Sequence, residues 1–200
     1  MEAYFDNAAT TMVYPEVKEL MVKLFLNDIG NPSSLHKKGV DAENYIKEAK
    51  ARIAKEIKCK DKELVFTSGG TESNNLAIIG AALAKRRQGK HIITTNIEHA
   101  SVLATMEFLQ KEGFEISYVG VDRKGRVDLE ELKSLLRPDT ILVSVMYVNN
   151  EIGTIEPVED IAKLVKANNP ETLYHVDAIQ AFGKIRFAPK NIGADLMSFS

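Results

Sequence analysis

Short apolar runs alternate with helix-spaced apolar stripes along most of this chain. Runs rich in Val, Ile, Thr and Tyr predict strands over residues 64–67, 91–95, 115–119, 141–148, 173–176 and 195–199. Between them, apolar residues three and four apart predict helices over 73–87, 100–111, 129–136 and 158–167. Strand and helix in turn predict an α/β domain with a mostly parallel sheet. Ligands of such sheets sit beyond the carboxyl ends of the strands.

Upstream the period is helical only. Pro15 opens a helix carrying Val17, Leu20, Met21, Leu24 and Phe25 at helical spacing, and the stretch from Asn27 to Gly30 ends it. After a Gly30-Asn31-Pro32-Ser33-Ser34 loop, residues 40–57 predict a second helix with Ala42, Tyr45, Ile46, Ala49, Ile53 and Ile57 on its buried side. Both read as packing elements. The last predicted strand runs into the final residue with no helix to cover it, so a longer polypeptide is expected.

Composition narrows the classes. The 200 residues are 44% hydrophobic and 27% charged, enough for one globular domain with a sizeable core. Net charge is -2 and Lys and Arg are scattered singly, which argues against nucleic acid or an anionic membrane as partner. No run approaches ~20 apolar residues, and the first residues lack the pattern of a signal peptide, so a cytoplasmic location is expected. The single cysteine, Cys59, excludes an internal disulfide and a cysteine metal cluster within this chain. Its flanking lysines favour thiolate, but a plain turn cysteine is the simpler reading.

Four predicted loops at one sheet edge carry chemistry. Thr67-Ser68-Gly69-Gly70-Thr71-Glu72-Ser73-Asn74-Asn75 joins strand to helix through two glycines and several hydroxyls, the makings of an anion cradle. The alternative is an ordinary helix capped by Thr71 or Ser73. A nucleotide P-loop is disfavoured because the Gly-Lys-Ser/Thr ending is missing. His99, after the next strand, is placed to stack on a flat ring or to exchange protons, or else is a locally satisfied helix-start histidine. Asn149 and Asn150 offer amides to a ligand, or simply shape a turn.

Tyr174-His175-Val176-Asp177-Ala178-Ile179-Gln180 ends an apolar run with a carboxylate. Burying an unpaired charge costs several kcal/mol, so Asp177 either stays wet or awaits a cation. The protonated ring nitrogen of pyridoxal phosphate (PLP) is such a cation. A His175-Asp177 metal pair lacks a third ligand nearby.

Together these segments, with Tyr4-Phe5-Asp6-Asn7-Ala8-Ala9-Thr10-Thr11, Gly30-Asn31-Pro32-Ser33-Ser34-Leu35-His36 and Asp195-Leu196-Met197-Ser198-Phe199-Ser200, resemble the PLP-dependent cysteine desulfurases of the class-V aminotransferase family. The resemblance implies fold type I, with residues 1–14 belonging to a smaller domain and 15–200 forming the first part of the PLP-binding large domain. It implies that Gly70, Thr71 and Ser200 hold the phosphate and that His99 stacks on the ring as a catalytic residue. Asp177 would then partner the ring nitrogen, Gln180 would neighbour the ring hydroxyl, and Asn150 would touch that hydroxyl and the substrate. Family members take L-cysteine, pass its sulfur to a cysteine as a persulfide and release L-alanine, and the sulfur supplies iron–sulfur cluster assembly through an acceptor or scaffold protein. A homodimer is implied as well. The family motif continues past Ser200 to a histidine and the Schiff-base lysine, neither of which is in this chain, and Cys59 matches no sulfur-accepting position. Related readings are a selenocysteine lyase, an aminotransferase, or a non-catalytic domain holding a phosphate compound.

Overall fold

The computed structural model describes residues 3–200. Two compact units divide the chain, the first ending at Val65 and the second spanning Phe66–Ser200.

The first unit contains α1 (Pro15–Leu26) and α2 (Lys37–Ile57). Pro15 stands at the first position of α1, where its missing N–H costs nothing. His36 caps α2, accepting the Gly39 N–H at its Nδ1 (3.4 Å), and Lys58 ends it in the left-handed conformation (φ 57°). A polar cluster links the two helices: Lys23 Nζ donates to Tyr45 Oη (2.8 Å), and the tyrosine hydroxyl donates to Asp28 Oδ2 (2.5 Å). The apolar stripes do not do the packing that their spacing predicts. No residue of α1 is buried, and in α2 only Gly39, Ala54 and Ile57 are. Among the described residues this unit has no strand, so it offers no sheet face on which the stripes can close.

Residues 64–67 are not a strand. Leu64 is extended and buried, but the segment joins no ladder among the described residues, and Val65 and Phe66 are exposed. β-branched and aromatic composition favours a strand only where a neighbour offers hydrogen bonds.

In the second unit β1 (His91–Thr95), β2 (Glu115–Val119), β3 (Thr140–Met146), β4 (Leu173–Asp177) and β5 (Leu196–Ser198) form one sheet in the order β2-β1-β3-β4-β5. All four pairings are parallel, and among the described residues antiparallel contact is confined to the isolated bridges Val121–Val127 and Val148–Ile155. The helices α3 (Gly70–Lys85), α4 (Ala100–Lys111), α5 (Leu129–Leu135) and α6 (Val158–Asn168) alternate with the strands as predicted. The short α7 (Pro189–Ile192) was not in the predicted pattern, although Pro189 and the left-handed Gly193 bracket it.

Strand alternation sends neighbouring residues to opposite faces. Ile92 and Leu142 pack with Ile78 and Ala82 of α3 and with Val102, Met106 and Leu109 of α4. Ile93, Val143, Val145 and Val176 pack instead with Leu132 of α5 and with Ile161 and Val165 of α6. Each fully buried side chain of this size contributes about 1.5–3 kcal/mol. Since Val176 faces α6, Asp177 must face α3. The strand order reverses between β1 and β3, which places the switch-point crevice at their carboxyl ends.

Candidate functional site

Helix α3 begins three residues earlier than its hydrophobic period suggests, with Gly70 as its first residue and Thr71 as its second. Glycine pairs hide a helix start from propensity reasoning. The N-cap is Gly69, with extended backbone and no side-chain cap, so the capped-helix alternative is not what the chain adopts. Glu72 reaches back to accept the Ser68 N–H (2.5 Å). At Gly70 a Cβ would lie 2.2 Å from Ile179 Cδ1, so the glycine lets the cradle touch the turn that follows β4.

Asp177 ends β4 and is 5% exposed. Its Oδ1 accepts the Ile179 N–H (3.0 Å) and its Oδ2 accepts from Asn74 Nδ2 (2.8 Å). Burial pushes its pKa up, while those two donors and the nearby His99 oppose the shift. Gln180 is half-buried in the same turn and accepts from Lys184 Nζ (2.8 Å).

His99 is the N-cap of α4, and its Nδ1 accepts the Ser101 N–H (3.1 Å) and faces Ser101 Oγ at 2.9 Å. The local satisfaction foreseen for a helix-start histidine therefore uses one ring nitrogen only. Ser101 Oγ in turn accepts from Asn74 Nδ2 (3.0 Å), so one hydrogen-bonded path runs from Asp177 to His99.

Asn150 is half-buried and donates to Glu151 Oε1 (2.7 Å). Its neighbour Asn149 shapes the loop: buried, it donates to Ile97 O (3.1 Å) and accepts the Glu151 and Ile152 N–H groups. Ser200 is exposed at the last position. Hydrogen bonds thus join Asp177 to His99 through Asn74 and Ser101, and Gly70 faces Ile179, whose N–H holds Asp177, whereas Asn150 bonds within its own loop.

Sequence reasoning missed Asn74, Ser101 and Glu98, whereas Asn149 shapes its turn, one of the two roles expected of it. Asn74 had a signal: it lies on the stripe of Ile78, Ala81 and Ala82, where an amide is out of place unless it has partners. Glu98 is fully buried; its Oε1 accepts from Thr95 Oγ1 (2.8 Å) and from the Met146 N–H (2.9 Å), tying the β1 loop to the end of β3. Burial raises its pKa to about 8. His175, on the face of Asp177, has both ring nitrogens on hydroxyls, Ser144 at 2.9 Å and Ser198 at 3.0 Å, and burial lowers its pKa to about 4. That leaves it no free nitrogen for a metal, and among the described residues no group of three or more His, Cys, Asp or Glu is placed to hold one. Burial pushes the Cys59 thiol pKa up, with Glu63 and Asp61 adding to the effect, so its flanking lysines do not make it a thiolate.

A profile of the family described as Aminotransferase class-V matches residues 3–200. The chain belongs to that family. It is 49% identical over 197 residues to the putative cysteine desulfurase IscS 1 of Bacillus subtilis, covering 98% of this chain and 52% of that protein. The cysteine desulfurase IscS of Dictyoglomus turgidum is 49% identical over 199 residues, covering 100% of this chain and 50% of its own length. Among solved structures, a NifS-like protein matches with TM-score 0.97 and 46% identity, covering 100% of this chain and 55% of that one. SspA in complex with cysteine matches with TM-score 0.93 and 38% identity, covering 98% and 56%. The chain spans about half the length of the curated relatives it matches. Class-V aminotransferases and cysteine desulfurases depend on PLP, and the fold is that of the NifS-like fold type I enzymes.

The residues present fit that coenzyme. An uncapped helix start suits a phosphate, a buried carboxylate at a strand end suits a protonated ring nitrogen, and an imidazole is joined to that carboxylate through Asn74 and Ser101.

Proposed function

We propose that this protein works as a cysteine desulfurase, taking L-cysteine to L-alanine and passing the sulfur to an acceptor protein for iron–sulfur cluster assembly. The observation that carries the proposal is the placement of Asp177: buried, held by two N–H donors, and joined through Asn74 and Ser101 to His99 beside the glycine cradle. In this reading the first-turn N–H groups of α3 at Gly70 and Thr71 hold the phosphate, with Ser200 as a further contact. Asp177 keeps the ring nitrogen protonated through a charge-assisted hydrogen bond. Bound there, the coenzyme supplies an electron sink for charge released at the substrate α-carbon.

His99 stacks on the ring and holds or passes a proton at Nε2, the nitrogen not engaged by Ser101. Gln180 and Asn150 orient the ring hydroxyl, and Asn150 also meets the substrate. Residues 1–14 belong to a smaller domain in this scheme. The protein acts in the cytoplasm as a homodimer; among the described residues no helix is long and apolar enough to cross a membrane, and net charge is -2.

Equilibrium dialysis against PLP, comparing the protein with Asp177→Asn, tests the reading. A hydrogen bond to a charged group contributes about 1.5–3 kcal/mol, so the variant should bind roughly 10- to 100-fold more weakly. Equal binding by both would overturn the assignment.

A further inference from the structure

Asn74 is wholly buried in α3, yet its side chain does not serve its own helix. Its Nδ2 lies 2.8 Å from Asp177 Oδ2 and 3.0 Å from Ser101 Oγ, while Oδ1 has no partner among the described residues. The orientation of the amide follows from chemistry. Turned over, it would set Oδ1 against the carboxylate, acceptor facing acceptor, and Nδ2 would lose both partners. With Nδ2 toward Asp177, its two hydrogens divide between Asp177 and Ser101.

The serine hydroxyl then accepts from Asn74, which leaves its own hydrogen for His99 Nδ1 at 2.9 Å. The same nitrogen receives the Ser101 N–H at 3.1 Å. Two donors converge on Nδ1, so the neutral imidazole carries its proton on Nε2. Every bond in the path points from Asn74 outward, toward the acid on one side and the ring on the other.

We propose that Asn74 is a positioning residue, aligning Asp177 and His99 as one polarised hydrogen-bonded unit through Ser101. This deepens the coenzyme reading and rests on it for its purpose, but the path consists of this chain's own residues and is tested without added ligand. In protein carrying nitrogen-15 in its imidazole rings, His99 is assigned by the loss of its signals in His99→Gln. Its Nδ1 should resonate as an unprotonated acceptor and its Nε2 as a protonated nitrogen. Asn74→Ala frees the serine hydroxyl to turn away, so the Nδ1 resonance should move. Ser101→Ala removes that hydroxyl while leaving the Asn74–Asp177 bond in place, and should move it at least as far. If Asn74 acts only through Ser101, the double variant should match Ser101→Ala.

A protonated Nδ1, or a resonance indifferent to Asn74→Ala in a folded protein, would overturn the proposal. Should Asn74→Ala fail to fold, Ser101→Ala decides, because an unmoved Nδ1 there rules out the hydroxyl donor. Dialysis against PLP then separates the two readings. If the unaltered protein binds and Asn74→Ala binds about tenfold more weakly, the positioning role stands. Equal binding by both refutes that role but not the coenzyme, and no binding by the unaltered protein refutes the coenzyme but not the path.

Discussion

The two ends of the sheet share the same strands and treat polar side chains in opposite ways. At the amino end contacts close. His91 sets Nδ1 on the Thr140 hydroxyl (2.7 Å) and Nε2 on that of Ser117 (2.9 Å), Thr172 Oγ1 donates to Thr140 O, and Arg137 bridges Glu115 and Asp139 at the rim. At the carboxyl end contacts stay open. Among the described residues the buried side-chain atoms without a partner are Asn74 Oδ1, Glu98 Oε2, Glu156 Oε1 and the Tyr174 hydroxyl, which lies within electrostatic range of Glu98 and Glu156. Each such atom costs about 1–3 kcal/mol. Polar side chains are therefore paired where the strands begin, and the unsatisfied ones gather where a ligand would engage the sheet.

The sharpest way to expose the cost of the open end is Glu98→Gln. The folded pKa of Glu98 is about 8 against an ordinary 4.5. Between those values the folded state holds a proton that the unfolded chain has released, so stability falls as pH rises, by about 1.4 kcal/mol per pH unit. Glutamine removes that slope. The stability of the variant relative to the parent should grow from pH 4.5 upward, reach on the order of 5 kcal/mol, and level off above pH 8. His175 slopes the other way: with its pKa lowered from 6.5 to about 4, the unfolded chain holds the extra proton in that window and stability rises with pH. The two contributions oppose each other between pH 4.5 and 6.5 in the parent, and Glu98→Gln should uncover the rising limb. Urea titrations at pH 5 and pH 8 measure both effects, and a variant-to-parent difference that ignores pH would mean that Glu98 is ionised in the fold.

A pair of glycines sharpens the comparison with a smaller effect. A Cβ at Gly89, just before β1, would lie 2.1 Å from the Asp139 carbonyl oxygen, whereas one at Gly70 would meet the tip of Ile179. Backbone cannot step aside, but a side-chain tip can. Gly89→Ala should cost about 1–3 kcal/mol in urea unfolding and leave PLP affinity alone. Gly70→Ala should cost less stability but lower PLP affinity about tenfold, because Ile179 must move and it carries the N–H that holds Asp177. The reverse pattern in thermal shift and dialysis would put the site at the wrong end.

How much of this was legible from residues alone follows the same division. Strands β1 and β2 and helix α4 could be read because each is a β-rich run or an apolar stripe, and Asp177, His99 and Gly70 could be found because each lies within four residues of the end of a β-rich run. Asn74, Ser101 and Glu98 were hidden because their roles arise only when separate elements pack together: Asn74 meets Asp177 103 residues away, and Glu98 meets Met146 48 residues away. The failed strand at 64–67 and the unburied stripe of α1 share one cause, since an apolar pattern states what a segment can bury but not whether a partner surface is there.

The smallest expected effect lies at the rim of the closed end. Arg137 donates to Glu115 Oε1 (2.6 Å) and to Asp139 Oδ2 (2.7 Å), and hydrogen bonds to these partners lower the pKa of both acids. Geometry that good invites a claim of strong stabilisation. The exposure of the groups argues against it, because water and salt screen two ion pairs whose Arg137, Glu115 and Asp139 side chains are 38%, 62% and 47% accessible. Arg137→Ala should shift the urea midpoint only slightly at low ionic strength, and the shift should vanish in molar salt. A large, salt-resistant loss would show that closure at the amino end depends on charge at the surface rather than on the buried hydroxyl–imidazole contacts beneath it.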